Sequence, residues 1–134
     1  MNYRNEIDIS EIGKRKKLAD HYYDNFRKYY RDKNYSKASE FLWGALNAIG
    51  YAVGLIYGKK LSDHGKLVNF IKEVAEAYND EEILTGLAAA QRIHANFFHD
   101  FMNEFSFEDD RKRTEKMLEK LADILDAKIK EKFR

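Results

Sequence analysis

Between Phe41 and Gly58 the chain runs for eighteen residues without a charged side chain. In a sequence that is 35% charged overall, such a gap must be shielded from water. A lipid bilayer is one shield, and eighteen residues touch the lower limit for a membrane span. Four glycines, Asn47 and two tyrosines dilute this stretch, however, and no other segment points to a bilayer. The expectation is a helix buried on all sides at the centre of an all-α protein, with no membrane involved.

The rest of the sequence suits that centre. Proline is absent and glycine, at seven residues, is the only strong breaker, so long helices are expected. We read an antiparallel bundle of about five helices and no strand, forming one domain over residues 1–134 with 1–9 as an N-terminal extension. Helix 1 covers about Ser10 to Arg31, with Leu18, Tyr22, Phe26 and Tyr29 as its apolar stripe. Helix 2 starts from a cap at Asn34 or Ser36 and runs to Tyr57, with Gly58 as its stop. Ser62 caps helix 3, which carries Leu67, Phe70, Ile71, Val74 and Tyr78. Asn79 or Asp80 starts helix 4, which runs to about Glu104, with Glu81 and Glu82 in its first turn. Ser106, with Asp109 three residues on, opens helix 5, whose apolar side is Met117, Leu118, Leu121, Leu125 and Ile129. No repeat, low-complexity tract or interdomain linker interrupts the pattern.

Net charge is only +1, but it is segregated: residues 1–37 carry +4, 38–110 carry −7 and 111–134 carry +4. Two solvated basic faces explain this, and a dedicated nucleic-acid binder would be more basic overall. Without cysteine there is neither disulfide nor thiolate metal site, which fits a reducing cytoplasm. The first ten residues lack the apolar core of a secretory signal. Gly50, Gly54 and Gly58 recur every four residues, which lines them up on one helix face. Each interior glycine costs about 1 kcal/mol relative to alanine. That cost suggests a close helix contact, inside the monomer or between two copies of a homodimer.

The chemistry-bearing stretch is RIHANFFHDFM, residues 92–102. Arg92, Asn96 and His99 lie at i, i+4 and i+7, beside the apolar face of Ile93, Phe97 and Phe101. Such a trio could cleave RNA without a metal. His99 would move protons near neutrality, Arg92 would hold the phosphate and the developing charge, and Asn96 would orient either group. The competing expectation is a partly buried, hydrogen-bonded histidine at the edge of the core. His94 and His99, five apart, do not match the four-residue spacing of helical zinc pairs. With no Gly-rich phosphate loop and no serine elbow, neither metal nor cofactor is expected. A weaker binding hint comes from Tyr23, Arg27, Tyr30 and Arg31, where aromatics interleave with cations that could stack on bases. Packing against the next helix is the simpler use of those rings.

Two ordered stretches carry a family resemblance. NYSKASEFLWGALNAIG, residues 34–50, and the run His94, Ala95, Asn96, Phe97, Phe98 resemble the two signatures of the archaeal PaREP family of small helical proteins, over roughly residues 17–126. That family is similar in architecture to the HEPN superfamily of antiparallel helical bundles. The resemblance implies a dimer, and in RNA-cleaving HEPN members it implies an Arg followed after four to six residues by a His. Arg92 and His99, six apart, fit that limit, although Ile93 follows the Arg where a polar residue is usual. Three functions are thus expected. The first is a non-catalytic module binding a nucleotide, RNA or a protein partner in a groove at a homodimer interface, with His94 among its contacts. The alternatives are a metal-independent HEPN-type ribonuclease and a purely structural assembly module.

Overall fold

The fold is described from a computed structural model, for residues 7–133. Five helices follow one another: α1 (Ile9–Arg31), α2 (Tyr35–Ile56), α3 (His64–Ala77), α4 (Glu81–His99) and α5 (Glu104–Lys132). The fold is an all-α bundle, as the periodicities require. Most of the extension assigned to residues 1–9 lies outside the described residues, but Asp8 and Ile9 do not extend the chain. Asp8 caps α1 by accepting from the Glu11 N–H, and Ile9 starts the helix.

Short polar side chains open each helix, because the first amides of a helix have no backbone acceptor. Asn34 accepts from the Lys37 amide, and Asp80 accepts from the Glu82 and Ile83 amides. Two expected starts move by one to three residues. Asp63, not Ser62, caps α3, its carboxylate accepting from the Lys66 amide at 2.8 Å. Asn103, not Ser106, caps α5. Ser106 is instead the third residue of the helix and bonds reciprocally with the cap, receiving the Asn103 amide on its hydroxyl and giving its own amide to the Asn103 side chain.

Helix ends follow equally local rules. Gly58 adopts φ +76°, its amide donates to the Leu55 carbonyl, and the Lys59 amide donates to Gly54. This pair of bonds closes a helix through a left-handed residue. Asn79 and Lys33 close α3 and α1 the same way, with φ of 49° and 59°. The end of α4 departs from expectation: the helix stops at His99 rather than near Glu104. Asp100 turns left-handed at φ 44°, a conformation a short polar side chain tolerates, and the Asn96 side chain captures the Met102 amide at 2.8 Å.

Helix α2 packs against all four other helices. It is long and apolar enough to cross a membrane by length and composition, yet 61% of its apolar window is buried inside the bundle. Leu42, Leu46, Ala52, Val53 and Ile56 are almost wholly inaccessible. Two glycines of the Gly50–Gly54–Gly58 line meet neighbours within the monomer. A Cβ on Gly50 would lie 2.6 Å from Leu67 Cδ1, and one on Gly54 2.7 Å from Leu61 Cδ1. Both glycines let α3 and the segment before it press onto α2 within the monomer, whereas Gly58 only terminates the helix. A second apolar cluster of Phe26, Leu42, Ile93, Met102 and Phe107 fills the end of the bundle where the α1–α2 and α4–α5 turns lie side by side.

Candidate functional site

The trio on α4 separates once side chains are placed. Arg92 turns to α5, where its Nε and Nη2 donate to the two Asp110 carboxylate oxygens at 2.9 and 2.7 Å. Asp110 is buried while the Arg92 side chain is half exposed. Two parallel charge-assisted bonds fix the guanidinium, and Asp110 holds it charged even more firmly than usual. Asn96 is fully buried. Its Nδ2 donates to the Ser39 hydroxyl at 3.0 Å, and its Oδ1 is the acceptor that ends α4. Orienting a reactant is closed to it, because the amide is fully buried and held by the fold at both ends. His99 is exposed in the last turn of α4. The bonds of Arg92 and Asn96 therefore lead to α5, α2 and the α4–α5 turn, not to His99.

His94 enters a different constellation. Its ring stacks on Trp43 of α2 at a centroid distance of 4.3 Å and on His64, the first residue of α3, at 5.4 Å. Trp43 also stacks on His64 at 5.1 Å, and Phe98 meets the His94 ring edge-on. The Nδ1 of His94 is buried without a hydrogen-bond partner. Burial, reinforced by the charge of His64, lowers its pKa below 6.5. Folding thus favours the neutral ring, and the unfolded chain binds the extra proton. Stability from this site is complete above pH 6.5 and drains away as the pH falls from there towards the lowered folded value. We expect thermal midpoints to drop between pH 7 and 5, and His94→Phe, which keeps the stack, to flatten that slope. An unchanged slope in the variant would remove His94 as its cause.

A concavity lies elsewhere, between α1 and α5. No Cα of α1 comes within 8 Å of one in α5 among the described residues, so the two helices flank α2 with a gap between them. Small side chains hollow it out: Ala19 from α1, Ala45 from α2 and Ala122 from α5, with Ile49 and Leu118 completing an apolar floor. The cavity measures about 610 Å³. Its rim is charged, with Asp20 on α1 facing Arg111, Lys112, Glu115, Lys116 and Glu119 on α5.

Side chains reach across this gap and hold its width. The Tyr23 hydroxyl donates to Glu115, and further along the Tyr30 hydroxyl donates to Glu108. Arg111 ties both carboxylates together and lies over the Tyr30 ring, 4.9 Å from its centroid. Lys16 meets Asp126 at 3.0 Å towards the other end. Burial and the Glu115 contact push the Tyr23 phenol up to about 12, and Arg111 holds Glu108 down to about 2. Tyr23 and Tyr30 are thus occupied against α5, while Arg27 and Arg31 point to solvent. Lys112 and Lys116, one turn apart on α5, enter no ion pair among the described residues.

The sequence held only a faint signal of this groove. Lys112, Lys116 and Glu119 read as the solvated side of an amphipathic helix, and the alanines read as ordinary helix formers. A run of alanines on three helices becomes a cavity only when the helices are assembled around it.

No curated protein and no solved structure matches this chain. A family model, the archaeal PaREP1/PaREP8 family, matches residues 14–118, which take in α2, α3 and α4, most of α1 and the first half of α5. That span contains both resemblance-bearing stretches, the tyrosines that bridge to α5 and the lysine rim of the groove, and on it the chain belongs to the archaeal PaREP1/PaREP8 family.

Proposed function

We propose that the chain is a non-catalytic module that binds a nucleotide in the groove between α1 and α5. One observation carries this reading: an apolar-floored cavity of about 610 Å³ with two unpartnered lysines on its rim. That volume lies within the range of small-molecule sites, about 300–1,000 Å³. The floor is apolar, three alanines beside Ile49 and Leu118, and gives the face of a base a surface to lie on. Asp20 and Glu119 are carboxylate acceptors for the amino edge of a base. Lys112 and Lys116 supply two ammonium groups for a phosphate.

The groove's hydroxyl is not set up to abstract a proton. Tyr23 is the hydroxyl of the lining, and a phenol pushed up to about 12 and bonded to Glu115 is no base near neutrality. RNA suits the site less well, since the Tyr23 and Tyr30 rings that would stack on successive bases are packed towards α5. The ribonuclease alternative would require Arg92 to leave Asp110 and turn towards His99. Metal-independent RNA cleavage lost in both Arg92→Ala and His99→Ala would establish that alternative.

A thermal-shift panel of nucleoside mono-, di- and triphosphates tests the proposal. A ligand that binds the folded state at about a hundredfold above its Kd adds roughly 2.7 kcal/mol, so at least one nucleotide should raise the midpoint by several degrees. Lys112→Ala with Lys116→Ala should abolish the rise while leaving the unliganded midpoint near its original value. If no nucleotide shifts the midpoint, the reading fails. A shift with RNA oligomers alone would transfer the groove to single-stranded RNA.

A further inference from the structure

One end of the bundle exposes more aromatic surface than a solvated end face needs. Phe98, Phe101 and Phe105, from the end of α4 and the start of α5, are 65%, 58% and 85% exposed. The α4–α5 turn that carries them lies beside the α1–α2 turn. The Ser36 hydroxyl donates to the Phe97 carbonyl at 3.3 Å, and the Tyr35 and Phe107 rings meet at 4.9 Å. The two turns divide the end face by charge. Arg31 and Lys33 stand on the α1–α2 side, with Asp32 between them, and Asp100 and Glu104 stand on the α4–α5 side. All five are exposed, and none enters an ion pair among the described residues.

We propose that this end face is where two copies of the chain meet about a two-fold axis. The Phe98, Phe101 and Phe105 rings would be buried between them, and the Arg31–Lys33 turn of each copy would lie against Asp100 and Glu104 of the other. A two-fold contact is self-complementary, so a basic half beside an acidic half satisfies itself when the second copy is turned over. The three rings together expose roughly 350–400 Å² per copy. Two such knuckles supply most of the ~1,000 Å² that a specific interface needs, and the charged turns around them supply the remainder. The face is separate from the α1–α5 groove, so dimerisation and nucleotide binding stand or fall independently.

Sedimentation equilibrium of the full chain at tens of micromolar should give twice the 15.8 kDa protomer mass. Phe101→Glu with Phe105→Glu should give a monomer with an unchanged helical circular-dichroism spectrum. Glu104→Lys should weaken the dimer by about tenfold, and adding Lys33→Glu to it should restore most of the loss, as expected for a pair that meets across the axis. A wild-type monomer overturns the proposal, as does a dimer that survives the phenylalanine substitutions. A wild-type monomer that binds phospholipid vesicles through these same rings would assign the face to lipid instead.

Discussion

Gly86→Ala is expected to destabilise the protein by about 1–3 kcal/mol, against a helix-propensity gain of about 1 kcal/mol that alanine would normally bring. Gly86 lies in the first third of α4, buried against α5. A Cβ there would sit 2.5 Å from the Met117 Cβ and 2.8 Å from the Arg113 carbonyl oxygen. Neither is the loose end of a side chain, so α4 and α5 would have to move apart. Gly86→Leu should cost more than alanine, because the added branch has nowhere to go. Gly13 in α1 is the control. A Cβ there meets nothing within 4 Å, so Gly13→Ala should stabilise by about 0.5–1 kcal/mol. Urea unfolding of both variants checks the pair. A Gly86→Ala midpoint at or above wild type would show that the α4–α5 contact is looser than described.

Asn96→Ala is expected to cost about 2–4 kcal/mol, since it strips the Met102 amide and the Ser39 hydroxyl of their partner in a fully buried place. It should also loosen the α4–α5 turn, because the Asn96 side-chain oxygen, through the Met102 amide, is what ends the helix. His99→Ala, on an exposed turn, should change stability by less than about 0.5 kcal/mol. Hydrogen exchange at Met102 gives a local readout: strong protection in wild type and in His99→Ala, and its loss in Asn96→Ala. Protection retained in Asn96→Ala would mean that the amide has another acceptor. The same residue that sequence spacing offered as an orienting group for chemistry serves the fold instead. A side chain that is fully buried and bonded to Ser39 and the Met102 amide is out of a substrate's reach.

Much of the fold is legible in the sequence alone. The uncharged stretch of α2 could only be central, and Asn34, Gly58 and Asp80 mark helix ends through bonds to residues within four or five positions. Such signals are local, and a linear reading holds everything they need. The end of α4 was not legible. Apolar spacing continues through Phe101 and Met102, and only the Asn96 side chain folding back onto the Met102 amide breaks the helix at His99. The start of α5 moved for a related reason, since Asn103 and Ser106 cap reciprocally and either could be taken for the first residue.

What the one-dimensional chain determined by itself was five amphipathic helices, their order and the helix that must lie innermost, because periodicity and capping act within a few residues. What only the assembled bundle decided was which polar groups find each other. Arg92 pairs with Asp110, eighteen residues away, and Tyr23 with Glu115, ninety-two away. Helical spacing says which side a residue occupies, but not which neighbour arrives there. The groove has the same origin: it is a volume left between α1 and α5 by alanines on three separate helices, and empty space between helices has no signature along any one of them.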